Sequence, residues 1–267
     1  LVALSYALVG AYVLLSGGGV VLRRQILGVV VGGVVWGLLF ARSGQASTIP
    51  YFVLLAWGTQ IFLLHGWYQL LYRLLRGPYE RSMPGLVSWL LRLFWIVVVS
   101  VLAVVVWFAP AGTAFWQETV CSVTAAAVAL LCLALAAQFV SDAPVENRAA
   151  TRALALAAVL VSGSQAVVAI VAAAGAGVPR WLSGIAALCL AAAALLVLFA
   201  LRQRPQWSLN TFVSPEARSY APRFLATGSI LLVTLFMLPV FRSLDPLVAR
   251  QSALALVLGM GTPLVIL

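Results

Sequence analysis

The sequence predicts an all-α polytopic transmembrane helix bundle of about nine spans with its N-terminus outside. Three observations predict it. Of 267 residues, 64% are hydrophobic and 8% are charged, where a soluble domain carries roughly 25% charged residues. The mean hydropathy is +1.11, and apolar runs of about 20 residues recur from end to end. Alternation of period two is absent, which argues against a β-barrel. A bilayer admits only helices or closed barrels, so helices remain. A soluble globular domain, a disordered tail and a disulfide scaffold are excluded.

The spans follow in order. The first, Leu1–Gly19, is an apolar run followed by Arg23 and Arg24. The second, Gln25–Ala41, carries Gly28-x-x-x-Gly32 and Gly33-x-x-x-Gly37, a spacing that brings helix backbones close, within a bundle or between copies. The third, Ile49–Tyr72, leads into Arg73, Arg76 and Arg81. The fourth is Leu86–Phe108, with Trp89 at its inner end and Trp107 at its outer end. The fifth, Val120–Phe139, begins beside Trp116 and Glu118. The sixth, Ala149–Ala174, and the seventh, Trp181–Leu201, share its alanine richness, as in Ala191 to Ala194. The eighth, Ala221–Phe241, is preceded by Ser214, Pro215 and Glu216, which read as an N-cap, a first-turn proline and an acid suited to the helix dipole. The ninth is Ala249–Leu267.

Arginine counting sets the orientation. With the N-terminus outside, twelve of the sixteen basic residues fall on the inner side. Only Arg42, Arg180, Arg242 and Arg250 fall outside. Tryptophans agree: Trp36, Trp107, Trp116 and Trp181 stand at outer ends, Trp89 and Trp207 at inner ends. The net charge of +10 reflects arginines facing anionic lipid headgroups rather than nucleic acid.

Chemistry-bearing residues are few. All sixteen basic residues are arginine, so a lysine Schiff base and a phosphate-loop lysine are excluded within this chain. Cys121, Cys132 and Cys189 lie in apolar runs and read as small packing residues; with His65 they make no metal-ligand spacing. The six acids sit near span ends or in loops, with no carboxylate pair at mid-membrane. That counts against ion-coupled transport and leaves no set for hydrolysis. Glu118, the best lone candidate, reads more simply as a headgroup-level cap on the fifth span.

His65 is the most conspicuous polar residue in an apolar span. Tyr68, Gln69 and Tyr72 share its helical face, and Thr59 and Gln60 lie one to two turns earlier. An intramembrane ionisable group points to function by default. Two roles stand open: a structural or interfacial histidine, or a sensing or binding one lining a polar pocket near the inner side. Gln138, near the inner end of the fifth span, is a partner at reachable depth.

The longest polar stretch runs from Arg202 to Arg223. Trp207, Leu209, Phe212 and Val213 stand among polar neighbours, so the segment is expected to lie along the inner membrane surface. Within it, Arg204-Pro205-Gln206-Trp207-Ser208-Leu209-Asn210-Thr211-Phe212-Val213-Ser214 resembles the Arg-x-Pro-x-Trp-Ser-Leu-x-x-Phe-Val-Ser stretch of PrsK-type sensor histidine kinases of bacterial PEP-CTERM/exosortase systems. Leu4-Ser5-Tyr6-Ala7-Leu8 and Trp36 are similar to the family's start, and Gln138 to Arg152 to its fifth-to-sixth connection.

The resemblance implies a single sensory membrane domain in the bacterial inner membrane, homodimeric as part of a kinase. Arg204, Trp207, Ser208, Phe212 and Ser214 would form a loop coupling it to a cytoplasmic part. ATP, magnesium, the acceptor histidine and the response-regulator partner would all belong to that part, with no catalytic residue, cofactor or metal in this chain. We accordingly expect residues 1–267 to be a piece of a longer protein: Leu1 is not an initiator methionine, and Leu267 lies inside an apolar run. The alternative from another class is a multispan transporter or membrane-envelope enzyme subunit. A kinase module encoded beyond Leu267 separates the two.

Overall fold

A computed structural model describes residues 1–15, 23–42, 50–79, 85–107, 114–141, 148–174 and 178–203. Its elements are seven α-helices: α1 (Val2–Leu15), α2 (Arg23–Arg42), α3 (Pro50–Tyr79), α4 (Gly85–Trp107), α5 (Ala114–Ser141), α6 (Arg148–Ala173) and α7 (Arg180–Gln203). No strand occurs among the described residues. The seven helices fall where the first seven expected spans lie. The eighth and ninth spans lie outside the described residues.

Among the described residues, four helices are long and apolar enough to cross a membrane: Arg23–Phe40 in α2, Glu118–Phe139 in α5, Ala149–Ala173 in α6 and Arg180–Gln203 in α7. Two helices outrun their apolar stretches. α3 continues past Tyr72 through Arg73 and Arg76 to Tyr79, and α5 begins at Ala114 rather than Val120. Hydropathy marks where a chain is apolar. Backbone hydrogen bonding extends beyond that stretch through good helix formers, Arg73 and Arg76 in α3 and Ala114, Gln117 and Glu118 in α5. Glu118 therefore stands inside α5, exposed on its second turn, and does not cap the helix start.

Six helices close on themselves in the order α1, α2, α3, α5, α6, α7, with α7 returning to α1. α4 lies outside this ring, against α5. α5 is the deepest element. Every residue from Cys121 to Leu130 is buried, as befits a helix that is apolar all round. Alanine makes this possible. Ala125, Ala126 and Ala129 on α5, Ala157, Ala158 and Ala169 on α6, and Ala193 and Ala194 on α7 are all buried, and such small side chains let backbones approach. Large apolar side chains point the other way. Leu4 and Leu8 on α1, Ile96 and Val99 on α4, and Leu188, Leu195 and Phe199 on α7 are exposed around the outside. Such a surface suits lipid, not water.

The glycine rows of α2 are used inside the chain. A Cβ at Gly33 would stand 2.5 Å from Tyr6 of α1, one at Gly37 would stand 2.7 Å from the Ala3 backbone nitrogen, and one at Gly32 would stand 2.9 Å from the Leu63 Cα of α3. Gly66 returns the contact from α3, with a Cβ there 3.1 Å from the Val29 nitrogen. Gly28 differs, since a Cβ there meets nothing within 4 Å.

Candidate functional site

α3 presents two polar faces with different surroundings. Helical spacing puts Gln60, Leu64, Trp67 and Leu71 on one face, all buried, and His65, Tyr68 and Tyr72 on another. The second face meets α4. The imidazole of His65 and the indole of Trp95 lie edge to face, with centroids 4.2 Å apart and planes at 83°. Tyr68 packs 5.1 Å from Trp95 and 5.7 Å from Tyr72, and Phe94 stands 5.7 Å from Trp95. The contacts of Trp95 with His65 and Tyr68 form an aromatic seam between α4 and α3.

His65 is half-buried. Gln69, one turn on and exposed, places its side-chain nitrogen 3.4 Å from His65 Nε2. A carboxamide nitrogen only donates, so this contact selects the neutral imidazole with its proton on Nδ1. That Nδ1 is buried and makes no hydrogen bond to a protein group. His65, Tyr68, Gln69 and Tyr72 are thus together as one face, as the spacing requires. Their main partner, Trp95, is a residue the sequence does not single out. Gln138 stands half-buried on α5, near its C-terminal end. Arg204, Trp207, Ser208, Phe212 and Ser214 lie outside the described residues.

The first face of α3 carries the other polar contact. Gln60 Nε2 donates to the main-chain oxygen of Gln165 on α6 at 3.5 Å. Gln165 is completely buried, and neither its Nε2 nor its Oε1 is hydrogen-bonded to a protein group. Sequence reasoning placed Gln60 near His65 and passed over Gln165. The available signal was a lone carboxamide in an Ala/Val/Ser/Gly run, thirteen positions from Arg152.

Several buried hydroxyls are satisfied on their own helices, the usual solution in apolar surroundings. Ser122 donates to the Thr119 carbonyl at 2.9 Å, Thr124 to Val120 at 2.7 Å, and Ser162 to Ala158. Cys132, fully buried, directs its thiol at the Leu64 carbonyl of α3 at 3.4 Å, and so pins α5 to α3. Cys121 is buried and Cys189 is partly so; all three cysteines are free thiols. Among the described residues no group of three His, Cys, Asp or Glu is placed to hold a metal ion. The arrangement offers helix packing, aromatic contact and neutral hydrogen bonding. Comparison with models of known families, with curated proteins and with solved structures gave no match.

Proposed function

We propose that this chain is the membrane-embedded input domain of a bacterial two-component sensor histidine kinase of the PrsK type, seated in the inner membrane. In this reading it has nine spans, with its N-terminus outside and its C-terminus in the cytoplasm. It passes an envelope or membrane signal to a kinase module that follows it. ATP and magnesium act in that module, a response regulator receives the phosphoryl group, and the domain works as a homodimer. The observation that carries the reading is the Arg204–Ser214 stretch, whose Pro, Trp-Ser-Leu and Phe-Val-Ser positions resemble that family. Long apolar helices with apolar outer surfaces support the membrane part of it. The twelve-to-four arginine bias supports the orientation.

In this reading the Arg202–Arg223 segment couples the bundle to the kinase. Its apolar residues lie in the interface and its arginines face anionic headgroups. The test is Trp207→Ala in the full-length protein, with signalling output and membrane abundance measured together. A change in output at normal abundance is expected. Unchanged output at normal abundance contradicts the coupling role.

A further inference from the structure

The outer surface shared by α3 and α4 changes character along its length. On α3, Phe62, Gln69 and Arg73 are exposed and share one line by helical spacing. On α4, Arg92, Ile96 and Val99 are exposed and share another. Five residues separate the end of α3 from the start of α4, and Trp95 meets both His65 and Tyr68, so α4 runs back along α3. Three residues before Trp95, Arg92 therefore falls at the level of Gln69, about one helical turn from Arg73. Both arginines are exposed on flexible stems, and their head groups can approach a single anion. In the other direction the surface becomes apolar. Phe62 is 48% exposed, Ile96 61% and Val99 62%.

The complement of such a surface is an amphiphile with an anionic head. Guanidinium groups match the oxygens of a phosphate diester with paired, charge-assisted hydrogen bonds. Gln69 directs its carboxamide nitrogen at His65, and that nitrogen carries a second proton for an ester carbonyl one turn below the phosphate. The apolar rows then suit acyl chains. A free phosphate would leave those rows unused, and a zwitterionic lipid would bring its own cation against two arginines. Basic sites between membrane helices take anionic headgroups for these reasons. We propose that Gln69, Arg73 and Arg92, with the apolar rows of Phe62, Ile96 and Val99, form a binding site for one anionic phospholipid on the outer surface of α3 and α4. The site needs the chain to lie in a membrane and does not depend on the sensor reading. It differs from the general attraction of arginines to headgroups because it is saturable and built from two particular helices.

The test is native mass spectrometry of the full-length protein in detergent micelles, titrated with phosphatidylglycerol or with phosphatidylcholine of the same acyl chains. The first phosphatidylglycerol is expected to bind about tenfold more tightly than the first phosphatidylcholine, the scale of one charge-assisted hydrogen bond. Arg92→Gln should weaken that first event about tenfold, by the same reasoning, and Arg92→Lys should weaken it less. Arg152→Gln, which removes an exposed arginine on α6, should leave it unchanged. Equal affinities for the two lipids overturn the proposal, since the surface then takes bulk lipid only. An equal loss in Arg152→Gln and Arg92→Gln also overturns it, as general attraction to a basic protein. Competition by soluble glycerophosphoglycerol at the lipid's own concentration overturns the lipid as ligand in favour of a free phosphodiester. The comparison of the two lipids on the unaltered protein decides the question by itself if a variant does not fold.

Discussion

The ring of Tyr6 on α1 occupies the space that a side chain at Gly33 on α2 would need. A Cβ at Gly33 would lie 2.5 Å from Tyr6 Cγ, and 2.6 Å from both neighbouring ring carbons. Tyr6 is 1% exposed, with Trp67 of α3 beside its hydroxyl. The ring has nowhere to move without disturbing a third helix. Gly33→Val should therefore destabilise the bundle by about 1–3 kcal/mol, the range for overpacking a well-filled core. Gly28→Ala, where the added atom meets open space, should change little. Thermal unfolding in nanodiscs, followed by circular dichroism, measures both. Equal melting temperatures for the two variants would contradict the α1–α2 packing.

The aromatic seam makes a second prediction. Trp95 touches His65 and Tyr68 across the gap, so Trp95→Ala removes the ring contacts between α4 and α3. Large aromatic deletions cost about 3–5 kcal/mol in a closed core, and the half-exposed seam should lose toward the lower end. His65→Phe keeps an aromatic edge and should lose much less. Limited proteolysis of the α4 region reports the difference. If His65→Phe loosens α4 as much as Trp95→Ala, the imidazole contributes something other than ring packing.

Topology is open to direct measurement. Reporter fusions after Arg81 and after Arg204 should read cytoplasmic, and one after Ala114 should read external. An external signal from either of the first two overturns the orientation drawn from the arginines.

Much of the architecture was legible in the residues, for identifiable reasons. The glycine rows of α2 mark a packing face because only glycine admits a neighbouring backbone or ring that closely, and Tyr6, Ala3 and Leu63 fill those places. The alanine-rich, uncharged stretch of α5 announces a buried helix. The face His65, Tyr68, Tyr72 follows from helical spacing alone. What spacing does not carry is the neighbour across the gap. Trp95 reads as one more aromatic in an apolar run, and Gln165 as one polar residue among small ones. Their roles arise only when α4 meets α3 and α6 meets α3. Helix ends were also less legible than helix centres, since Arg73 and Arg76 are good helix formers however polar they are.

The most direct test of the central claim is phosphorylation of the full-length protein. Reconstituted in lipid vesicles with ATP and magnesium, it should acquire phosphate that is acid-labile and base-stable, as expected of phosphohistidine, on a residue encoded beyond Leu267. A folded full-length protein that takes up no such phosphate, or whose coding sequence runs on into further spans or stops without a kinase module, would contradict the reading of this bundle as a kinase input domain.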